Sequence, residues 1–246
     1  MEQTKFNQTK GRERGKQARR IRIIEATIKL LREVGVARTS MTLIAERAGV
    51  SPSTPYNLFG TKADILAAVF DQDLRSFEAS IANLRSTNAL DRLFKAISIA
   101  ASLYKSDPNF YRATMFLSDT RSNQAIHLSL YTPRIGFVQR MVEDLITEEF
   151  IALEVDPAVF AVSLNQLANG VLFDWYMNRI SPDRLRDETE FGFAVALYGV
   201  ATDRARKSLE QRMTELGQAL KAPRKSSNGI SVQASRANLR AIRAEH

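Results

Sequence analysis

The 246-residue chain is 44% hydrophobic and contains no cysteine, which excludes a disulfide framework, a thiolate nucleophile and any Cys-ligated zinc or iron–sulfur site. No apolar run approaches the roughly 20 residues of a membrane span, and the polar, basic N-terminal stretch lacks the apolar core of a secretory signal, so a cytoplasmic location is expected. The net charge of +8 is uneven: residues 1–62 carry 13 Lys/Arg against 5 Asp/Glu, residues 63–220 carry 16 against 21, and residues 221–246 carry 6 against 1, the asymmetry expected when one end of a protein meets a polyanion.

Residues 1–15 show no hydrophobic periodicity and contain Gly11 and Gly15, which predicts a flexible basic arm. From Lys16 to Val34 the spacing of Ile24, Ile28, Leu31 and Val34 predicts a helix, with Gly35 placed to end it. A second, short helix is expected from Met41 to Ala48. Gly49 can adopt positive φ and stop it. Ser51 then stands as an N-cap candidate with Pro52 at the first helical position, where a missing N–H costs nothing. Two brief helices joined by a sharp turn form a helix-turn-helix.

The second of these helices divides into two faces. Pro55, Leu58 and Phe59 fall on one side and are expected to pack inward. Ser53, Thr54, Tyr56 and Asn57 fall largely on the other. Hydroxyls and amide hydrogens near a helix N-terminus hold phosphates, while Asn and Thr reach base edges or a thymine methyl. Lys62, which opens the next helix, is placed to meet a backbone phosphate. Thr42 on the preceding helix joins this DNA-binding set, with Arg19, Arg20 and Arg22 as further candidates for backbone contacts.

From Lys62 a long helix is expected to carry Leu66, Val69, Phe70, Leu74, Phe77, Ile81 and Leu84. Leu90 to Tyr104 forms another stripe, and Phe110 to Leu117 a short helix. Asp119 to Thr132 reads as irregular, with Pro133 opening the following helix, where Ile135, Val138, Met141, Val142 and Leu145 are periodic. The last two stripes run from Phe160 to Trp175 and, as one unbroken helix, from Ala194 to Leu216. No segment alternates in the manner of a strand, so the chain is read as all-α. Beyond Lys221 the composition turns to Ser, Asn, Arg and Ala, which predicts a disordered basic tail over 221–246.

The segments "IIEATIKLLREVG" and "LIAERAGVS", followed by Thr54, Tyr56, Phe59, Lys62 and "KADIL", resemble the TetR (tetracycline-repressor-like) family of bacterial transcription regulators over about Arg20 to Phe70. Pro55, Leu58 and Leu43 depart from the family pattern; Leu43 leaves the cap begun by Ser40 without a reciprocal Glu. The resemblance implies a three-helix DNA-binding domain over 16–62 and a larger helical domain over 63–220 that binds an effector and dimerises. Helices at about 157–178 and 188–216, rich in small residues, are the expected homodimer surface. An apolar or amphipathic effector is expected in a pocket for which Leu103, Met115, Phe116, Met141, Asn169 and Phe173 are lining candidates. His127 is read as a surface or satisfied residue.

The implied function is a dimeric repressor released from a near-palindromic operator by its effector. A nonspecific nucleoid-type DNA-binding protein and an activator on the same fold are the competing readings. No glycine-rich phosphate loop, nucleophile elbow or metal-ligand cluster is present, so no enzyme, metal or cofactor is expected.

Overall fold

A computed structural model of the chain describes residues 2–82, 84, 88–119, 124–152 and 154–222, with the side chains of 2–10, 114–119 and 124–132 left aside. The expected tail therefore lies outside the described residues from 223 onward. Ten helices account for nearly all of what is described: α1 (Glu2–Arg38), α2 (Met41–Ala48), α3 (Ser53–Phe59), α4 (Lys62–Ala82), α5 (Ala89–Ser106), α6 (Pro108–Asp119), α7 (Gln124–Thr147), α8 (Pro157–Tyr176), α9 (Pro182–Tyr198) and α10 (Asp203–Ala219). Among the described residues the only β pairing is an isolated antiparallel bridge between Ile151 and Ala201. The fold is all-α.

Local chemistry sets the helix starts. The Ser40 hydroxyl accepts the Leu43 N–H, Asn88 accepts from Asp91, Asp156 from Ala158 and Val159, and Ser181 from Arg184. Each side chain satisfies amide hydrogens that a helix leaves open at its first turn. Pro157 and Pro182 follow two of these caps, where a ring in place of an N–H is harmless.

Three apolar clusters hold the molecule together. The head cluster joins Ile23, Ala26 and Leu30 of α1 to Met41, Ile44 and Ala48 of α2 and Ile65 of α4. A middle cluster joins Leu31 and Val36 to Leu66, Val69 and Phe70 of α4, Phe110 and Tyr111 of α6, and Leu172, Trp175 and Leu185 of α8 and α9. A distal cluster gathers α5, α7, α8, α9 and α10 around Leu93, Phe94, Leu145, Leu164, Phe193 and Leu197. Helices α7 and α8, α8 and α9, and α9 and α10 pack in succession, while α6 lies on α1 and α4 on α7.

The structure departs from the sequence expectation in three places. Residues 2–15, expected as an irregular arm, continue α1; their Gln, Lys, Arg and Glu are good helix formers, which offsets the ~1 kcal/mol that each of two glycines costs. The helix breaks instead at Gly35, whose φ of 74° is the expected positive value. The stretch 124–132, expected to be irregular, belongs to α7, so Pro133 sits inside a helix rather than at its start. A proline there removes one main-chain bond, and the helix continues because its apolar face is packed.

The third departure is the last helix, expected as one unit over 188–216. It is two: α9 ends at Tyr198 and α10 begins at Asp203. The turn between them is pinned by main-chain bonds to the loop before α8, Ala152 N–H to Val200 (2.9 Å) and Thr202 N–H to Phe150 (3.1 Å).

Leu164 is fully buried in the distal cluster. Leu164→Ala is expected to lower unfolding stability by about 2–5 kcal/mol, read as a fall in the urea midpoint with an unchanged slope.

Candidate nucleic-acid interface and ligand cavity

The turn between α2 and α3 is a Schellman motif. Gly49 has φ 61° and ψ 45°, its N–H reaches the Glu46 carbonyl at 3.1 Å, and the Val50 N–H reaches Ala45 at 3.0 Å. A Cβ at Gly49 meets nothing closer than the Arg22 guanidinium at 3.9 Å, so glycine is needed here for its backbone conformation and not for space. Pro52 already has helical angles, φ −55° and ψ −30°, and the Ser51 carbonyl accepts the Thr54 N–H at 2.9 Å. Ser51 does not cap the backbone with its side chain as expected. Its hydroxyl pairs with those of Thr54 (2.7 Å) and Ser53 (3.2 Å).

The two faces of α3 separate as the sequence suggests. Pro55 is buried, and Leu58 and Phe59 pack on the head cluster. Ser53 and Asn57 are exposed, Tyr56 is 55% exposed, and Thr54 is half-buried with its hydroxyl tied to Ser51. Thr42, Arg19 and Arg22 are exposed, and Lys16 is exposed farther out on α1.

Two of the proposed phosphate contacts have other partners. The Lys62 ammonium donates to the Val36 (3.2 Å) and Thr39 (2.9 Å) carbonyls, and burial pushes its pKa down. It ties the start of α4 to the end of α1. Arg20 donates to the Leu58 carbonyl, and its guanidinium lies 4.0 Å from the centroid of the Phe59 ring. It clamps the end of α3 to α1. Thr61 and Asp64 form a capping box at the head of α4: the Asp64 carboxylate accepts the Thr61 N–H (2.9 Å), and the Thr61 hydroxyl accepts the Asp64 N–H (3.2 Å).

Beyond the head, helices α4 to α9 enclose a mostly apolar cavity of about 220 Å³. Of the expected lining residues, Leu103, Met141 and Asn169 face it. Phe173 does not: it is 41% exposed on the outer side of α8. The side chains of Met115, Phe116 and His127 lie outside the described residues.

Apart from Asn169, the polar groups of the cavity escape the sequence reading, because a search for apolar stripes does not register them. The Tyr111 hydroxyl donates to Asp73 at 3.0 Å, and Arg134 donates to the Tyr104 hydroxyl at 2.6 Å. The Tyr104 and Tyr111 rings meet edge to face at 4.7 Å. Burial raises the pKa of Asp73, opposed by the Tyr111 bond and by Arg134. Burial, then the charge of Asp73, pushes the Tyr111 phenol up as well. Asn165, 2% exposed, also lines the cavity.

Comparison with known proteins agrees with this architecture. The family model for bacterial regulatory proteins of the tetR family matches residues 23–69, the stretch from the first buried residue of the head through the two-core segment of α4. The chain is 26% identical over 139 residues to the HTH-type transcriptional repressor KstR of Rhodococcus jostii, covering 55% of this chain and 65% of that one, just under two thirds of its length. It is 25% identical over 169 residues to the fatty acid metabolism regulator protein of Bacillus subtilis, covering 66% and 86%. In fold it is similar to Thermus thermophilus FadR, a TetR-family transcriptional repressor solved with lauroyl-CoA: TM-score 0.62, 20% identity, 74% of this chain and 95% of that one. With the glycine turn, the exposed hydroxyl-and-amide face and the helical body behind it, these matches make residues 23–69 a tetR-family DNA-binding segment and give the chain the fold of TetR-family proteins.

Proposed function

We propose that the chain is a homodimeric repressor that binds a near-palindromic operator and leaves it when a small apolar or amphipathic effector enters the cavity. The observation that carries this reading is the outward face of α3, where Ser53, Tyr56 and Asn57 are exposed on a helix whose other side is spent on packing. Short polar side chains let a helix approach the major groove closely. Thr42, Arg19 and Arg22 stand nearby as backbone contacts, and the basic segments 1–15 and 221–246 add phosphate affinity. In this reading residues 16–62 are the DNA-binding domain and 63–220 the effector and dimerisation domain.

The dimer assignment is supported by exposed apolar side chains on the segments singled out by sequence: Val159 and Phe173 on α8, Met177 just past its end, and Val195 on α9. Large apolar side chains left exposed on helices expected to pair are ones that a partner copy would cover. A dimer holding two heads addresses half-sites about one helical turn, or a multiple of it, apart. The effector class draws support from the apolar cavity and from the relatives: one is named for fatty acid metabolism, and the Thermus repressor was solved with lauroyl-CoA. An effector acts by preferring the conformation in which the heads are wrongly spaced, and only that difference in affinity moves the equilibrium.

The test is a gel shift on the DNA fragment recovered from a genomic pool. Thr54→Ala with Tyr56→Ala is expected to abolish the discrete complex while size-exclusion chromatography still returns a dimer; unchanged operator affinity contradicts the assignment. Lys62→Met separates two roles of that lysine. Because its ammonium caps α1, the variant is expected to lose about 1–2 kcal/mol of stability, while the slope of log K against log salt stays as in the parent chain. A slope reduced by about one unit would instead mark a phosphate contact.

A further inference from the structure

The cavity holds two polar groups without the partners their chemistry asks for. Asn165 is 2% exposed, lines the cavity, and its amide Nδ2 has no hydrogen-bond partner among the described residues. A buried amide donor left unmade costs about 1–3 kcal/mol, which a ligand oxygen placed there recovers. Arg134, among the described residues the only cationic side chain of the lining, feels the charge of Asp73 but forms no direct ion pair with it or with any other described carboxylate. Its hydrogen-bond partner is the neutral Tyr104 hydroxyl at 2.6 Å, which keeps its own proton free to donate. The two acidic residues of the lining are both engaged: Asp71 pairs with Arg75 at 2.6 Å, and Asp73 accepts from Tyr111 at 3.0 Å.

These groups stand at different levels of the cavity. Tyr104 packs with Trp175 at a ring separation of 5.5 Å and belongs with Leu172 and Tyr111 to the middle cluster. Asn165 lies about two turns before Leu172 on α8, roughly 10 Å by the helical rise, beside Leu164 and Ala161 of the distal cluster. The apolar part of the lining includes Leu74, Phe77, Ile97, Phe137, Val138 and Ala168. A volume of about 220 Å³ equals about seven waters at ~30 Å³ each, room for on the order of ten non-hydrogen atoms.

We propose that the cavity selects a compact organic acid: its carboxylate is held by Arg134 and the Tyr104 hydroxyl at the end nearer the head, and a second oxygen, a carbonyl or hydroxyl, accepts from Asn165 at the far end of an apolar body. The inference rests on the cavity being the effector site and narrows what that effector is. The two ends of the ligand are recognised by different means. The carboxylate gives Arg134 a direct charge-assisted bond that Asp73, tied to Tyr111, does not make, and the distal oxygen is discriminated because its absence leaves a buried donor unpaired.

The test is isothermal calorimetry of the full chain, free of DNA, with three probes of similar length: octanoate, methyl octanoate and monomethyl suberate. Monomethyl suberate, which has a carboxylate at one end and a carbonyl at the other, is expected to bind at least tenfold tighter than octanoate, and octanoate at least tenfold tighter than its neutral ester. Asn165→Leu is expected to melt no lower than the parent chain, to keep the acid-over-ester preference and to lose the preference for the distal carbonyl. Arg134→Gln is expected to lose the acid-over-ester preference alone. Equal binding of acid and ester, no gain from the distal carbonyl, a gain that survives Asn165→Leu because water already serves that amide, or no binding by any probe would each overturn the proposal. Selective binding that leaves operator affinity untouched upholds it and contradicts the repressor-release reading instead.

Discussion

One helix has to satisfy three environments at once, and the rest of the molecule is arranged around it. Helix α4 puts Ile65 into the head cluster, then Leu66, Val69 and Phe70 into the middle cluster, then Asp73, Leu74 and Phe77 into the cavity wall. Its register therefore joins the core beneath the helix-turn-helix to the wall of the cavity along one continuous helix. The Thr61–Asp64 capping box and the Lys62 ammonium under the end of α1 hold its start in place. Burying each of these large side chains is worth about 1.5–3 kcal/mol, so the head does not slide on the body continuously. It moves, if at all, between discrete packings.

A second tie runs through α6. Leu31 and Val36 of α1 share a cluster with Phe110 and Tyr111, and the Arg32 guanidinium pairs with Asp107 at 2.5 Å. Because Arg32 is 51% exposed, that pair adds little, and the apolar contact carries the tie. Tyr111 is also the residue that bonds Asp73 and meets Tyr104 in the cavity. A ligand that draws Arg134 and Tyr104 toward its carboxylate thus acts beside the two helices, α4 and α6, on which the head rests. The proposed release from DNA needs no longer path than this.

What sequence reading recovers is what the backbone or the hydrophobic period enforces locally. Gly35 and Gly49 announce their positive φ because other residues are strained there, and the two faces of α3 follow from helical spacing alone. Errors arise where a distant partner decides. Lys62 and Arg20 look like free cations in sequence, yet each is claimed by carbonyls at a helix end that only the folded chain brings near. The break between α9 and α10 was hidden by a coincidence of spacing: Ala194, Leu197, Ala201, Ala205 and Leu209 are all buried, and the stripe passes through the turn without a gap. Phe173, an aromatic expected in the pocket, faces outward instead, because α8 is apolar on more than one side. In the cavity, Asn165 and Arg134 read as ordinary polar residues until the helices around them close.

The central claim is that head and body form one cooperative unit through α4. The chain has a single tryptophan, Trp175, buried to 1% exposure in the middle cluster, and no cysteine. Glu46→Cys, at an exposed position on α2, therefore gives a unique site for a fluorescent label in the head. Equilibrium urea unfolding of the labelled full chain, followed at the label and at Trp175, should give coincident transitions with the same midpoint and slope. A head transition completed at lower urea, with Trp175 still in its native environment, would contradict the account.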